Sequence, residues 1–287
     1  MRVANLMSEY PVILKLTHPS DSNLLSKAQW FSKQPGIKLI QASDNSPPFI
    51  QDLALPILHI TRQGAFLETE GIRFKFHPNM ALIRLMQLGR GESDRFLSAT
   101  GLQRGDTLLD ATLGLGTDAL VAAWQVGEEG RVIAIEHSAI LSALIREGLS
   151  TLAHGPLPHV KNPEKAKAWL ALAEAAQRIE VLWGDHRDIL AQSHAASVDV
   201  IYFDPMFRHT REQSSSILPL HHYSNIQPLL KEVVIDACRV AKKRVILKER
   251  KGSKEFSRLG FSVDEGGKYS QVDFGIIQRR EEHTWIL

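Results

Sequence analysis

The sequence predicts an α/β fold, with a mainly parallel central sheet covered by helices on both faces and preceded by a small α+β region. Three observations predict it. From about residue 101 onward, short runs of β-branched and aromatic residues alternate with stretches of helical period. The first of these runs leads into a glycine pair, Gly114 and Gly116, and then into a helix. Three successive strands also deliver a carboxylate at or just past their carboxyl ends: Asp110, Glu136 and Asp185.

The chain has 287 residues, room for one main domain and an appendage. The change in pattern divides it into an N-terminal α+β region, 1–100, a candidate for substrate binding, and a main domain, 101–287. In the first region 12–16 reads as a strand. A helix follows over 23–33, with Ser20 or Asp21 as its N-cap. Pro35-Gly36 ends it, and 37–41 resumes an extended pattern. Ser46-Pro47-Pro48 is a loop. The runs 58–61 and 66–68, divided by Gln63-Gly64, form a hairpin, and 72–76 adds a strand. A helix over 80–88 leads to Gly89-Arg90-Gly91. In the second region strands are expected at 107–111, 131–136, 179–183, 198–203, 244–248 and 272–277. Helices are expected at 118–125, 139–152, 166–176 and 229–240. Such sheets bind ligands beyond the carboxyl ends of their strands.

Composition narrows the field. Hydrophobic residues are 44% and charged residues 23%, as in ordinary globular proteins. No apolar run nears the roughly 18–20 residues needed to span a bilayer, so no membrane role is expected. Residues 1–10 lack the basic start and apolar stretch of a signal peptide. With its single cysteine, Cys238, the chain cannot close an internal disulfide, which fits a cytoplasmic location. The formal net charge of +2 does not exclude a basic face.

The glycine pair permits a tight turn and close approach of backbone to a ligand. By itself it also fits a plain strand–helix turn, or a dinucleotide site, since Gly114-x-Gly116-x-x-Ala119 satisfies the looser fingerprint. The carboxylates shift the weight. Asp110 can organise the loop and accept a hydrogen bond from a cationic amino-acid group. Glu136, about 20 residues past the glycines, can hold two ribose hydroxyls. Asp185, with His186 beside it, can reach an adenine amino group; its alternative role is a helix N-cap.

The fourth strand ends in Asp204-Pro205-Met206-Phe207. Proline stiffens its own backbone and restricts the residue before it. Asp204 and the Pro205 carbonyl can accept the two hydrogens of an amine, and Phe207 can stack on a base. The alternative is a strand-ending turn with a core phenylalanine. Cys238 lies in a helical pattern, where a buried apolar role fits better than a nucleophile.

These motifs carry a resemblance. The chain resembles class I S-adenosylmethionine-dependent methyltransferases, and more narrowly the bacterial small-subunit ribosomal RNA guanine-N2 methyltransferase family. The matching segments are D-A-T-L-G-L-G-T-D-A at 110–119, D-P-M-F at 204–207 and V-I-L-K at 245–248. G-R-G-E at 89–92 and G-G-K-Y-S-Q-V-D-F at 266–274 are weaker matches. The resemblance implies a Rossmann-like class I fold, S-adenosyl-L-methionine as cofactor, and RNA as partner, in ribosomal RNA or the small ribosomal subunit. It implies that Thr117 and Asp118 contact the cofactor at the first turn, that Glu136 and His137 do so after the second strand, and Asp185 and His186 after the third. Asp204 would lie beside the methyl group, and Lys248 and Arg208 on the substrate side. The chain departs from the family in having Arg208 where a proline follows the tetrad, and Asp-His at 185–186.

Nine Lys or Arg residues against Glu249 and Glu255 lie between Arg239 and Arg258. This is the footprint expected for a phosphate backbone, or simply a solvated face. The long segment 208–225 is positioned to act as a substrate gate. His221-His222 has no further ligand at metal spacing, so no metal is expected. A homodimer is left open. Besides an RNA-base amino methyltransferase, the alternatives are a methyltransferase acting on a protein or small molecule, a nicotinamide-dependent oxidoreductase, and a non-catalytic RNA-binding protein.

Overall fold

The computed structural model describes residues 10–41, 55–205, 228–268 and 270–279. Two sheets share the chain. The first has five strands in the order β2-β1-β3-β4-β5: β1 (Tyr10–Leu16), β2 (Ile37–Gln41), β3 (Ile57–Thr61), β4 (Gly64–Thr69) and β5 (Ile72–Phe74). Helix α1 (Ser22–Ser32) links β1 to β2, which run parallel. Asp21 caps α1 by accepting from the Asn23 amide. Leu24, Ala28 and Phe31 recur at helical spacing and are buried.

The second sheet has seven strands in the order β11-β12-β10-β9-β6-β7-β8. They are β6 (Thr107–Asp110), β7 (Arg131–Glu136), β8 (Ile179–Trp183), β9 (Val198–Phe203), β10 (Ala241–Arg250), β11 (Ser262–Asp264) and β12 (Val272–Gln278). Strands β6 to β10 are parallel, and β12 runs antiparallel between β10 and β11. This is the mainly parallel, Rossmann-like α/β architecture. The chain winds from β6 outward through β7 to β8, then returns to β9 on the other side of β6. Their junction is the switch point where such sheets bind ligands.

The connecting helices are α2 (Asn79–Gly89), α3 (Arg95–Thr100), α4 (Thr117–Val126), α5 (Ala139–His154), α6 (Pro163–Ala176), α7 (His186–Gln192), α8 (Lys231–Val240) and α9 (Glu255–Leu259). Alternation along the strands splits the interior in two. Leu108, Val200, Tyr202 and Ile246 face α2 to α6, while Leu109, Ile201, Phe203, Val245 and Leu247 face α7 to α9. The first core continues into the five-stranded sheet. There Lys27 pairs with Glu147, Arg146 donates to Gln34 at 2.7 Å, and the turn at Gly36 lies against Trp183 and Ala139. Helices α2 and α3 precede residue 101 in the chain yet pack on the seven-stranded sheet's side. The Phe96 ring, for instance, stands edge-on to Tyr202 at 4.9 Å.

Candidate functional site

A cavity of about 420 Å³ opens at the carboxyl edge of the sheet, over the β6/β9 junction. It is built from four strand ends. After β6 the chain turns through Thr112 to Gly116. Gly114 and Gly116 both have positive φ (51° and 72°), and Gly116 starts α4. The turn is tied down by the Leu113 amide donating to the Ile135 carbonyl at 3.0 Å, and by the Ala111 amide donating to the Tyr202 carbonyl at 2.9 Å.

Asp110 is buried, with Oδ1 accepting from the Thr112 amide at 3.0 Å. Burial pushes its carboxyl up to about 8, and the nearby Asp118 and Asp204 push the same way. Glu136, at the end of β7, accepts from the Ser138 amide at 2.8 Å. Burial lifts it to about 7 against the pull of surrounding amides. Among the described residues neither carboxyl forms an ion pair, Lys248 acting on Asp110 only from a distance, and a cationic, hydroxyl-rich ligand would suit both.

Asp204 follows β9. Its amide donates to Thr112 Oγ1 at 2.6 Å, and its Oδ2 accepts from Lys248 Nζ at 2.7 Å. Burial raises its carboxyl, and Lys248 holds the rise back. Lys248, from β10, also donates to Asp118 Oδ2 at 3.2 Å.

Of the residues singled out in the sequence, Asp110, Gly114, Thr117, Asp118, Glu136, His137, His186, Asp204, Pro205 and Lys248 all line this one cavity. Gly116 shapes the turn behind it. Asp185 is not in the wall. It caps α7, accepting from the Arg187 amide at 2.9 Å, and its oxygens also take the Arg187 guanidinium at 2.5–3.0 Å. Arg187 lines the cavity instead. Phe207 and Arg208, with the rest of 208–225, lie outside the described residues.

Sequence reading missed Thr112, Tyr202 and Arg84. Thr112 sits within the glycine turn, and Tyr202 carries the one polar tip among the last four residues of β9. Arg84 had a signal: it is three residues from Ala81 and four from Leu88, on the side of α2 that carries the buried Ala81 and Leu85. Its guanidinium donates to Asp94 at 2.7 and 2.9 Å and to Asp118 Oδ1 at 2.5 Å.

The basic run does not form one face. β10 is parallel to β9, so Lys242 to Arg244 lie toward the amino edge and Lys248 to Lys254 toward the carboxyl edge, with Lys242 and Arg250 about 26 Å apart along the strand at about 3.3 Å per residue. Several of its cations have internal partners: Arg239 with Asp236 and helix carbonyls, Lys243 with Asp106, Arg244 with the Ala99 carbonyl and Arg258 with Glu255. Among the described residues no group of three His, Cys, Asp or Glu is placed to hold a metal ion. None of the described helices is long and apolar enough to cross a membrane.

A glycine turn and two buried carboxyls on one cavity at the carboxyl edge of a doubly wound sheet form the kind of site where such folds take a nucleotide cofactor. Residues 63–273 match the SAM_MT family model, that of SAM-dependent methyltransferases. The chain belongs to that family. It is a methyltransferase, with S-adenosyl-L-methionine as cofactor, which sets aside the nicotinamide reading of the turn. It is 39% identical over 209 residues to YpiP of Bacillus subtilis (strain 168), described only as uncharacterised, covering 73% of this chain and 76% of that one. It is 30% identical over 167 residues to the ribosomal RNA small subunit methyltransferase J of Laribacter hongkongensis (strain HLHK9). That match covers 56% of this chain and 53% of the relative, about half its length. A solved SAM dependent methyltransferase from Aquifex aeolicus is 19% identical, covering 74% of this chain and all of that one, with a TM-score of 0.37.

Proposed function

We propose that the chain methylates an exocyclic amine of an RNA base, guanine N2 of small-subunit ribosomal RNA. The observation that carries this reading is Asp204. Its backbone is pinned by Thr112 and its carboxylate by Lys248, at the cavity wall where the fourth strand ends. The names of relatives such as that of Laribacter hongkongensis supply the nucleic acid.

The bound cofactor supplies the methyl group. Asp110 would receive its amino-acid ammonium, the Gly114 backbone would lie against it, and Glu136 would accept from its ribose hydroxyls, all three lining the cavity. Thr117 and His137 complete this wall, with His186 on the side of the base. A carboxylate fixed from both ends suits an amine that must be aimed rather than activated. Asp204 and the Pro205 carbonyl hold the amine hydrogens, which frees the nitrogen lone pair. When bound, the cofactor would give up its sulfonium methyl and leave as S-adenosylhomocysteine; the proton that the amine loses in exchange for that methyl would pass to Asp204, whose raised carboxyl pKa suits it to accept. Phe207 stacks on the base, and Arg208 engages the RNA.

The methyltransferase unit begins at α2, since α2 and α3 share the core of the seven-stranded sheet, and the enzyme works in the cytoplasm on its RNA. The test is mass mapping of small-subunit ribosomal RNA from cells lacking the protein. Loss of one N2-methylguanosine, restored by the intact gene, supports the reading; an unchanged set of modified nucleosides overturns it.

A further inference from the structure

The family resemblance makes Asp118 a cofactor contact, but its carboxylate is already engaged on both oxygens. Oδ1 accepts from Arg84 Nη1 at 2.5 Å. Oδ2 accepts from the Tyr202 hydroxyl at 2.7 Å and from Lys248 Nζ at 3.2 Å. Three of the roughly four acceptor directions of a carboxylate are thus used inside the protein. The chain of contacts continues at both ends. Lys248 Nζ donates to Asp204 Oδ2 at 2.7 Å. Arg84 is held by both oxygens of Asp94, whose Oδ1 also accepts from the Leu97 amide to cap α3. The Arg84 guanidinium also lies over the Phe96 ring at 5.4 Å, and that ring stands against Tyr202. Five charged side chains from five elements or their caps therefore alternate in sign: Asp94, Arg84, Asp118, Lys248, Asp204.

We propose that Asp118 is not a cofactor ligand but the hub of this chain, which sets the Lys248 ammonium against Asp204 and so orients the carboxylate that meets the substrate amine. Arg84 and Asp118 are positioning residues. This rests on the reading of Asp204 given above. The physical reason is the cost of burial. A lone ammonium beside Asp204 would swing toward solvent or lose its charge, whereas one shared with a second fixed anion stays in place. Asp118 can be that fixed anion because, although burial pushes its carboxyl up, Lys248 and Arg84 hold it at about 2. Arg84 needs an anchor on its other side, which is why a helix that precedes the cofactor strands reaches into the site. Among the described residues, the groups that face Asp204 are Asp110 from β6, Asp118 from α4, Tyr202 on its own strand, and Lys248 and Glu249 from β10. Lys248 is the only cation among them, so its placement decides the charge of Asp204.

Two measurements test the proposal. The first is calorimetry of the full chain with S-adenosylhomocysteine. At pH 9, where Asp110 is ionised whether or not Asp118 is charged, Asp118→Asn should bind it within about twofold of the parent, where loss of a charged ligand contact would cost about tenfold or more. Should that variant fail to fold, the charge-balanced pair Asp118→Asn with Lys248→Met carries the same test. The second is the pH profile of kcat under saturating cofactor. Lys248→Met should move the low-pH limb upward by about 1–3 units, because the cation beside Asp204 is gone. Arg84→Gln should move it the same way by less, and Arg84→Lys should restore it. A tenfold loss of S-adenosylhomocysteine affinity on removing Asp118, or low-pH limbs that superimpose on the parent's, would overturn the proposal. Asp204→Ala separates the two levels. If it is inactive while the limbs stay unmoved, only the hub fails; if it is active, the reading of Asp204 fails.

Discussion

Raising the pH from 6 to 8 should strengthen binding of S-adenosylhomocysteine, which carries the same amino-acid ammonium as the cofactor, by more than an order of magnitude. The cause is Asp110. Burial, aided by Asp118 and Asp204, lifts its carboxyl to about 8. At pH 6 the free protein therefore holds a proton there that a ligand ammonium must expel. The ionised fraction falls about tenfold for each pH unit below the pKa. Affinity should thus rise about 50-fold from pH 6 to pH 8 and flatten above. Glu136, lifted to about 7, adds in the same direction. The sign carries over to stability. A carboxyl raised in the folded state contributes stability that is present below its unfolded value and lost as pH rises through about 8, so the free protein should melt lower at pH 8 than at pH 6. The assay is calorimetry at three pH values in two buffers of different protonation enthalpy, which counts protons released. Asp110→Asn should bind more weakly at pH 8 and show a shallower pH slope. Affinity independent of pH in the parent, or an unchanged slope in Asp110→Asn, would refute the assignment of Asp110 to the ammonium.

The remaining expectations concern other parts of the molecule. Glu136→Ala should weaken S-adenosylhomocysteine binding by about 1–3 kcal/mol, read by calorimetry, while leaving the denaturation midpoint nearly unchanged. Gly36→Ala should destabilise the fold by about 1–3 kcal/mol in denaturant titrations. Its φ is +75° and a Cβ would stand 2.5 Å from the Trp183 ring, where the five-stranded sheet meets the end of β8. Lys254→Ala, at the carboxyl edge, should lower RNA affinity and its salt slope by about one unit. Lys242→Ala, at the opposite edge, should change neither, as read by filter binding over a salt series. Asp204→Ala should lose most of its turnover through kcat rather than KM, measured by single-turnover methyl transfer.

The strands of the main sheet were legible because buried parallel strands read as continuous apolar runs. β7, β8 and β9 have the bounds expected, and β10 is longer because its charged ends extend a short apolar centre. Elements of three to seven residues, α3, α7, α9 and β11, carry too little periodicity to be seen. The glycine turn and the strand-end acids were legible because they are local. Asp185 shows where that stops. A carboxylate just after a strand also stands just before a helix, and here the α7 amides and Arg187 claim it. Arg84 was hidden for a different reason. Its partner Asp118 lies 34 residues on, and only the packing of α2 against α4 brings them together. The basic run between Arg239 and Arg258 kept two readings open in the sequence because composition has no direction, whereas a ten-residue strand has two ends.

Methyl transfer from labelled cofactor to purified small ribosomal subunits and to their naked RNA, followed by nucleoside analysis, tests the central claim most directly. The expected product is N2-methylguanosine, formed by the parent and absent with Asp204→Ala at equal cofactor occupancy. Label recovered in protein, in a different nucleoside, or at undiminished rate with Asp204→Ala would contradict it.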